Sequence, residues 1–191
     1  MKIVIVGIGA LGSHVALFGR NWAGTLNVID GDRVEQKNTL GQFHTTMGLG
    51  KNKALALKQA SQGLFKGNIN ALPHMLTEDN VAHLLGNADF IIDCTDNIEA
   101  RTLIQRFARA VGITCLHGAL SADGTFGRVM WTEHFVPDAE GAVGQATCEG
   151  GENLPFHGLV AAKVAAVAQE FLKTGKKSSW QIAGGTFIRL A

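Results

Sequence analysis

The chain has 191 residues, of which 46% are hydrophobic, a net charge of +1, and three cysteines, Cys94, Cys115 and Cys148. That length suggests one domain spanning residues 1–191 that can bury a core without staples, and the near-neutral charge excludes a global field drawing it to nucleic acid or a membrane surface. An odd cysteine count with no CxxC excludes a disulfide framework and a paired-thiolate zinc site, and points to a reducing compartment.

The opening stretch MKIVIVGIGALGSH superficially resembles a signal peptide. Gly7, Gly9 and Gly12 break its apolar run, and no cleavage site follows. No stretch is long and apolar enough to span a bilayer, so a cytoplasmic protein is expected. Lys2–Val6 reads as a strand buried on both faces, being continuous and β-branched. A helix is expected over residues 10–20, a strand over 26–29, and a long aperiodic connection over 31–50. Residues 51–64 read as a helix and 68–72 as a strand. Thr77 is placed to cap a short helix through Leu85, with Glu78 and Asp79 in its first turn. Phe90–Asp93 is another buried strand. Residues 97–111 carry one apolar stripe, Ala100, Leu103, Ile104, Phe107, Ala108 and Val111, with Gly112 to end the helix. Residues 114–117 form the next strand. This alternation predicts a doubly wound, Rossmann-like, mostly parallel α/β sheet.

The pattern then changes. DGTFGRVMWTE reads as a turn and an antiparallel strand. Residues 133–155 form a long, Gly-rich, aperiodic loop, the kind usually functional or disordered. Val160, Lys163, Val164, Val167 and Phe171 mark a last helix, and SWQIAGGTFIRL a closing strand or hairpin. The C-terminal strands are therefore expected to be antiparallel.

GIGALG, Gly7 to Gly12, fits G-x-G-x-x-G between a strand and a helix, where bare backbone and helix N–H groups suit a phosphate. Asp30 ends the second strand, where a carboxylate can bind the ribose of NAD or of ATP alike. Lys51 and Lys53 open the next helix and are placed to meet phosphates. Asp93 and Asp96 lie at the C-terminal end of a parallel strand, where such sheets bind ligands. A carboxylate beside Lys and a phosphate loop suits Mg²⁺. A helix N-cap is the competing role for Asp96, and solvated surface Lys the competing role for Lys53.

GIGALGS, then Asp30-x-Asp32 with Val34, Asn38 and Gln42, then GKNKA and DCTDNIEAR, together resemble the ThiF/MoeB/HesA family, relatives of the ubiquitin-activating enzymes. The match runs from residue 3 to about 118 in the family's order; ATCEGG and LPFHG more loosely resemble its Cys-containing crossover loop and following helix. The resemblance implies ATP-dependent adenylation of the C-terminal carboxylate of a small ubiquitin-like or sulfur-carrier protein ending in Gly-Gly, as in thiamine biosynthesis, by a homodimer. Carried over, Gly7, Gly9 and Gly12 hold the nucleotide with Asp30 on ribose and Asp32 beside it. Asn38, Gln42 and Lys53 hold phosphates, Asp96 takes Mg²⁺, and Cys148 stands where some members carry an acyl-accepting thiol. Residues 133–155 would be the crossover, or lid, loop.

Gly41 stands where the family usually has Arg, a contact worth roughly 1.5–3 kcal/mol. The chain starts at the first strand, so the N-terminal helix of many members is not expected. For Cys148, an acyl-accepting thiol and a core residue are both open; Cys94 and Cys115 read as core. The rival readings are a non-catalytic ThiF-like scaffold, adenylation of a peptide or tRNA-linked carboxylate, and an NAD-dependent oxidoreductase.

Overall fold

A computed structural model describes residues 1–121, 123–137 and 151–190. The elements run β1 (Lys2–Val6), α1 (Gly12–Phe18), β2 (Thr25–Ile29), α2 (Asn38–Gly41), α3 (Lys53–Phe65), β3 (Ile69–Leu72), α4 (Val81–Leu85), β4 (Phe90–Asp93), α5 (Ile98–Val111), β5 (Thr114–Leu120), β6 (Phe126–Trp131), α6 (Leu154–Thr174), β7 (Ser179–Ala183) and β8 (Thr186–Leu190). The strands form one sheet in the order β3-β2-β1-β4-β5-β6-β7-β8. The first five are parallel to one another, and β6, β7 and β8 join antiparallel. This is the expected mostly parallel, doubly wound sheet with antiparallel C-terminal strands.

β1 is the middle one of the five parallel strands, which explains its unbroken apolar run. Ile3 and Ile5 pack on one face with Leu11 and Val15 of the α1 region, Leu57 of α3, and Val160 and Val164 of α6. Val4 and Val6 pack on the other with Leu84 and Leu85 of α4 and Leu103 and Ile104 of α5. Burying each such side chain stabilises the fold by about 1.5–3 kcal/mol.

Several boundaries differ from the sequence pattern. α3 starts at Lys53 because the Asn52 side chain caps it, accepting from the Ala54 and Leu55 N–H groups; Lys51 lies before the helix. Thr77 does not cap α4. Its N–H instead donates to the Asn80 side chain, and the helix begins at Val81. α1 is shorter than expected and runs into a 3-10 turn at Gly19–Asn21. The 31–50 connection contains α2 and a 3-10 turn at Thr46–Gly48. β5 extends to Leu120 because β6 draws it into a ladder from Leu116↔Trp131 to Leu120↔Gly127. α6 begins at Leu154, six residues before the apolar stripe signalled it, with proline in its first turn.

Asp93, at the end of β4, is fully buried. Its Oδ2 meets His117 Nδ1 on β5 at 2.8 Å. Its Oδ1 accepts from the Thr95 N–H at 2.9 Å and the Thr95 hydroxyl at 2.7 Å. His117 Nε2 reaches the Thr132 hydroxyl at 3.1 Å, and its ring stacks on Phe135 at 4.1 Å. Burial pushes the Asp93 carboxyl up, but the His117 hydrogen bond and charge, with Arg101 and Thr95, bring it below its ordinary value. Asp93 is thus committed to the interior and does not join Asp96 as a pair. A lowered carboxyl stabilises the fold above the ordinary Asp range, and that stabilisation is lost as pH falls through the lowered value. Asp93→Ala should cost about 3–5 kcal/mol by removing the buried carboxylate partner of His117 Nδ1. Denaturant unfolding at neutral pH and again at acid pH checks this: the wild type should lose more stability on acidification than the variant.

Candidate functional site

β1 and β4 are neighbours whose outgoing chains cross to opposite faces of the sheet, β1 to α1 and β4 to α5. Ligands of open α/β sheets bind at such a switch point, outside the carboxyl ends of the strands. A cavity of about 350 Å³ opens there, walled by the glycine loop, the β2 and β4 exits and the start of α6; small-molecule sites have that size.

The three glycines of the loop do different things. Gly7 has φ +84°, and a Cβ on it would lie 2.9 Å from the backbone of Cys94 and Thr95. A Cβ on Gly12 would lie 1.8 Å from the Gly7 carbonyl oxygen, so α1 packs directly on the turn. Gly9 meets nothing nearer than Gln42 Nε2 at 4.0 Å; its bare backbone faces the cavity.

Asp30 follows β2 and lines the same cavity. Its Oδ2 accepts from the Ile8 N–H at 2.6 Å and its Oδ1 from the Asp32 N–H at 2.8 Å. Burial raises its pKa above the ordinary value, and those two N–H groups and Lys53 only partly offset this. Asp32 ion-pairs with Lys53 at 3.0 Å, the Lys side chain 11% exposed and the Asp side chain 57%. Asn52 fastens the corner by donating to the Asp30 and Asp32 carbonyl oxygens at 2.7 and 3.1 Å. Lys51 is turned away onto Gln59 at 2.8 Å and does not line the cavity. Of the two lysines, only Lys53 faces it.

On the β4 side, Asp96 is exposed to the cavity. The cap of α5 is Asn97, whose side chain accepts from the Ala100 N–H at 2.8 Å. The capping role therefore falls to its neighbour, and Asp96 makes no hydrogen bond or ion pair among the described residues. Arg101, one turn into α5, is anchored on the Thr95 carbonyl oxygen at 2.8 and 2.5 Å and lines the cavity. Cys94 lines it too, but burial, reinforced by Asp93, holds its thiol well above the ordinary value. Cys115 is buried in the core.

Asn38 and Gln42 are buried, Gln42 near Gly9, and both stand outside the cavity lining. The Asn38 side chain accepts from the Glu35 N–H at 2.8 Å. Gln42 Oε1 has no hydrogen-bond partner among the described residues. Their segment is tied to the glycine loop and α1 by His44 Nε2 on the Ile8 carbonyl oxygen and by the Phe43 N–H on Ser13 Oγ, both at 2.9 Å. Cys148 and most of the 133–155 loop lie outside the described residues.

The description of the ThiF family matches residues 1–169 of the chain. This protein belongs to the ThiF family. It is 30% identical over 178 residues to the adenylyltransferase and sulfurtransferase UBA4 of Meyerozyma guilliermondii, covering 87% of this chain and 42% of that protein. It is 32% identical over 122 residues to the sulfur carrier protein adenylyltransferase of Thermus thermophilus, covering 62% and 45%. The chain therefore spans less than half of either relative. Crystallised MccB of E. coli with ATP shares the fold, with a TM-score of 0.77, 16% identity, and coverage of 99% of this chain and 62% of that one.

Within this ThiF-family fold the sequence pattern missed His157. It is 1% exposed and lines the cavity from the first turn of α6. Burial, with His14 nearby, lowers its pKa, so the ring is neutral at neutral pH. Its place follows from the packing of α6 on α1, β5 and α2, a tertiary effect that no local motif announces. Asn52 was findable: an Asn two residues before Ala54 opens a helical pattern, a capping signal. The glycine geometry predicts unequal tolerance. Gly12→Ala should cost about 1–3 kcal/mol or more through overpacking, and Gly9→Ala should stay within about 0.5 kcal/mol of wild type, both read by chemical denaturation.

Proposed function

We propose that this ThiF-family chain binds ATP with Mg²⁺ in the crevice and transfers AMP to the C-terminal carboxylate of a small sulfur-carrier or ubiquitin-like protein ending in Gly-Gly. One observation carries the reading: a single cavity is faced by the glycine loop, Asp30, Lys53 and Asp96. The names of the yeast and Thermus relatives support it.

The residues present fit the nucleotide. Gly9 leaves the room a phosphate needs. Asp30 already accepts two hydrogen bonds while burial works against its charge; a ribose hydroxyl is a further donor for it. Lys53 is a mostly buried cation on the cavity wall. The Gln42 amide nitrogen, a donor, lies near Gly9, so it is the phosphate contact of its segment, with Asn38 holding the turn that carries it. Asp96 is the carboxylate for Mg²⁺, which when bound offsets phosphate charge.

In the reaction a carboxylate oxygen attacks the α-phosphorus, the bond to the bridging oxygen breaks, and pyrophosphate leaves. A carboxylate is ionised at neutral pH, so no general base is needed. The chain's task is to bring two anions together. Lys53 and the glycine-loop N–H groups lower that repulsion, more strongly in a crevice than in water. Cys148 follows as the proposed acceptor of the acyl group, and residues 133–155 as the cover that keeps water from the acyl-adenylate.

ATP binding by calorimetry should depend on Mg²⁺, and tighter binding of NAD than of ATP overturns the reading. Asp96→Ala should nearly abolish ATP–pyrophosphate exchange with a candidate carrier and leave the melting temperature unchanged. Asn97→Ala should cost about 1 kcal/mol of stability and preserve exchange. The two neighbours thus separate capping from chemistry.

A further inference from the structure

His157 is the one side chain on the cavity wall that is almost wholly buried and has both ring nitrogens without a hydrogen-bond partner among the described residues. Leaving such a group unpaired costs about 1–3 kcal/mol, and native proteins rarely leave one without a reason. The Gly41 backbone lies close enough to favour the protonated ring, without the geometry of a hydrogen bond.

Its position suggests the missing partner. Asp30, His74, Met75 and Leu76 line the cavity at the β2 and β3 exits; Leu120, Ser121 and His157 line it at the β5 exit and the start of α6. In the strand order these groups flank β1 on opposite sides, and Gly9 and Ala10 lie on the lining between them. A nucleoside held at Asp30 therefore directs its phosphates over Gly9 toward His157. We propose that His157 is a nucleotide-binding residue whose imidazole donates a hydrogen bond to a phosphate oxygen.

The inference rests on the ATP reading above, and the test separates the two. Calorimetry with Mg²⁺ present compares ATP with adenosine, which keeps the base and ribose and lacks phosphate. His157→Phe should weaken ATP binding about tenfold to a hundredfold, the usual worth of a hydrogen bond to a charged group, and leave adenosine affinity unchanged. The free variant should melt no lower than wild type, because two unpaired nitrogens are removed from the interior. His157→Leu serves if the phenyl ring does not fit, and His157→Asn, which keeps a donor, should recover most of the ATP affinity. Unchanged ATP affinity in the apolar variants, or equal losses for ATP and adenosine, overturns the inference and leaves the ATP reading standing. A lower melting temperature with ATP affinity intact also overturns it, assigning His157 a structural role. No ATP binding by the wild type overturns both.

Discussion

The crossing of Gly7 over the end of β4 is the contact on which the rest of the molecule depends. β1 and β4 run side by side from Ile3↔Phe90 to Val6↔Asp93, and immediately beyond that ladder the two chains touch with no room for a Cβ. They then part to opposite faces, which opens the crevice. The same turn sets the other walls. The Gly7 N–H donates to the Ile29 carbonyl oxygen and the Ile8 N–H to the Asp30 carboxylate, locking the β2 exit to the glycine loop. Gly12 brings α1 onto that turn, and α1 in turn receives α6 with His157. A displacement at Gly7 would move every group named in the site.

Much of this was legible in the sequence, for reasons particular to each element. β1 and β4 are apolar on both faces because helices cover both, so they stand out without alternation. α5 has an apolar stripe and a closing Gly112, two signals that agree, while its cap proved to be Asn97 and not Asp96. Asp30, Lys53 and Asp96 could be named because each sits beside a strand end or a helix start. The limits were equally physical. Thr77 and Asn80 are both of capping type, and only the folded turn shows that neither side chain caps α4, Asn80 turning back to the Thr77 N–H. Lys51 and Lys53 differ by where α3 begins, and that follows from the Asn52 side chain capping the Ala54 and Leu55 N–H groups. Asp93 and Asp96 share a motif, yet one turns into the interior toward His117 and the other toward the cavity. The start of α6 carried a readable signal in Pro155, since proline is favoured in a first helical turn; the apolar stripe alone hid it.

The groups around the crevice have in common that the empty protein serves them poorly. Asp30 is ionisable and raised by burial, and Gln42 and His157 keep unpaired polar atoms. Each lowers the stability of the free fold, and under the proposed function Asp30 and His157 would gain a partner from a bound nucleotide. A ligand that binds only the folded state would return stability in proportion to the logarithm of its concentration over its dissociation constant. Lys53 is the exception that completes the pattern. Its charge is already paired with Asp32, so the cation is held in position, and under the proposed function a phosphate would compete with a carboxylate for it. Because Asp32 is more than half exposed, water weakens that pair and can solvate the carboxylate once it is released. The competition is therefore shallow, and the geometry of Lys53, fixed by α3 and Asn52, is preserved whichever anion it faces.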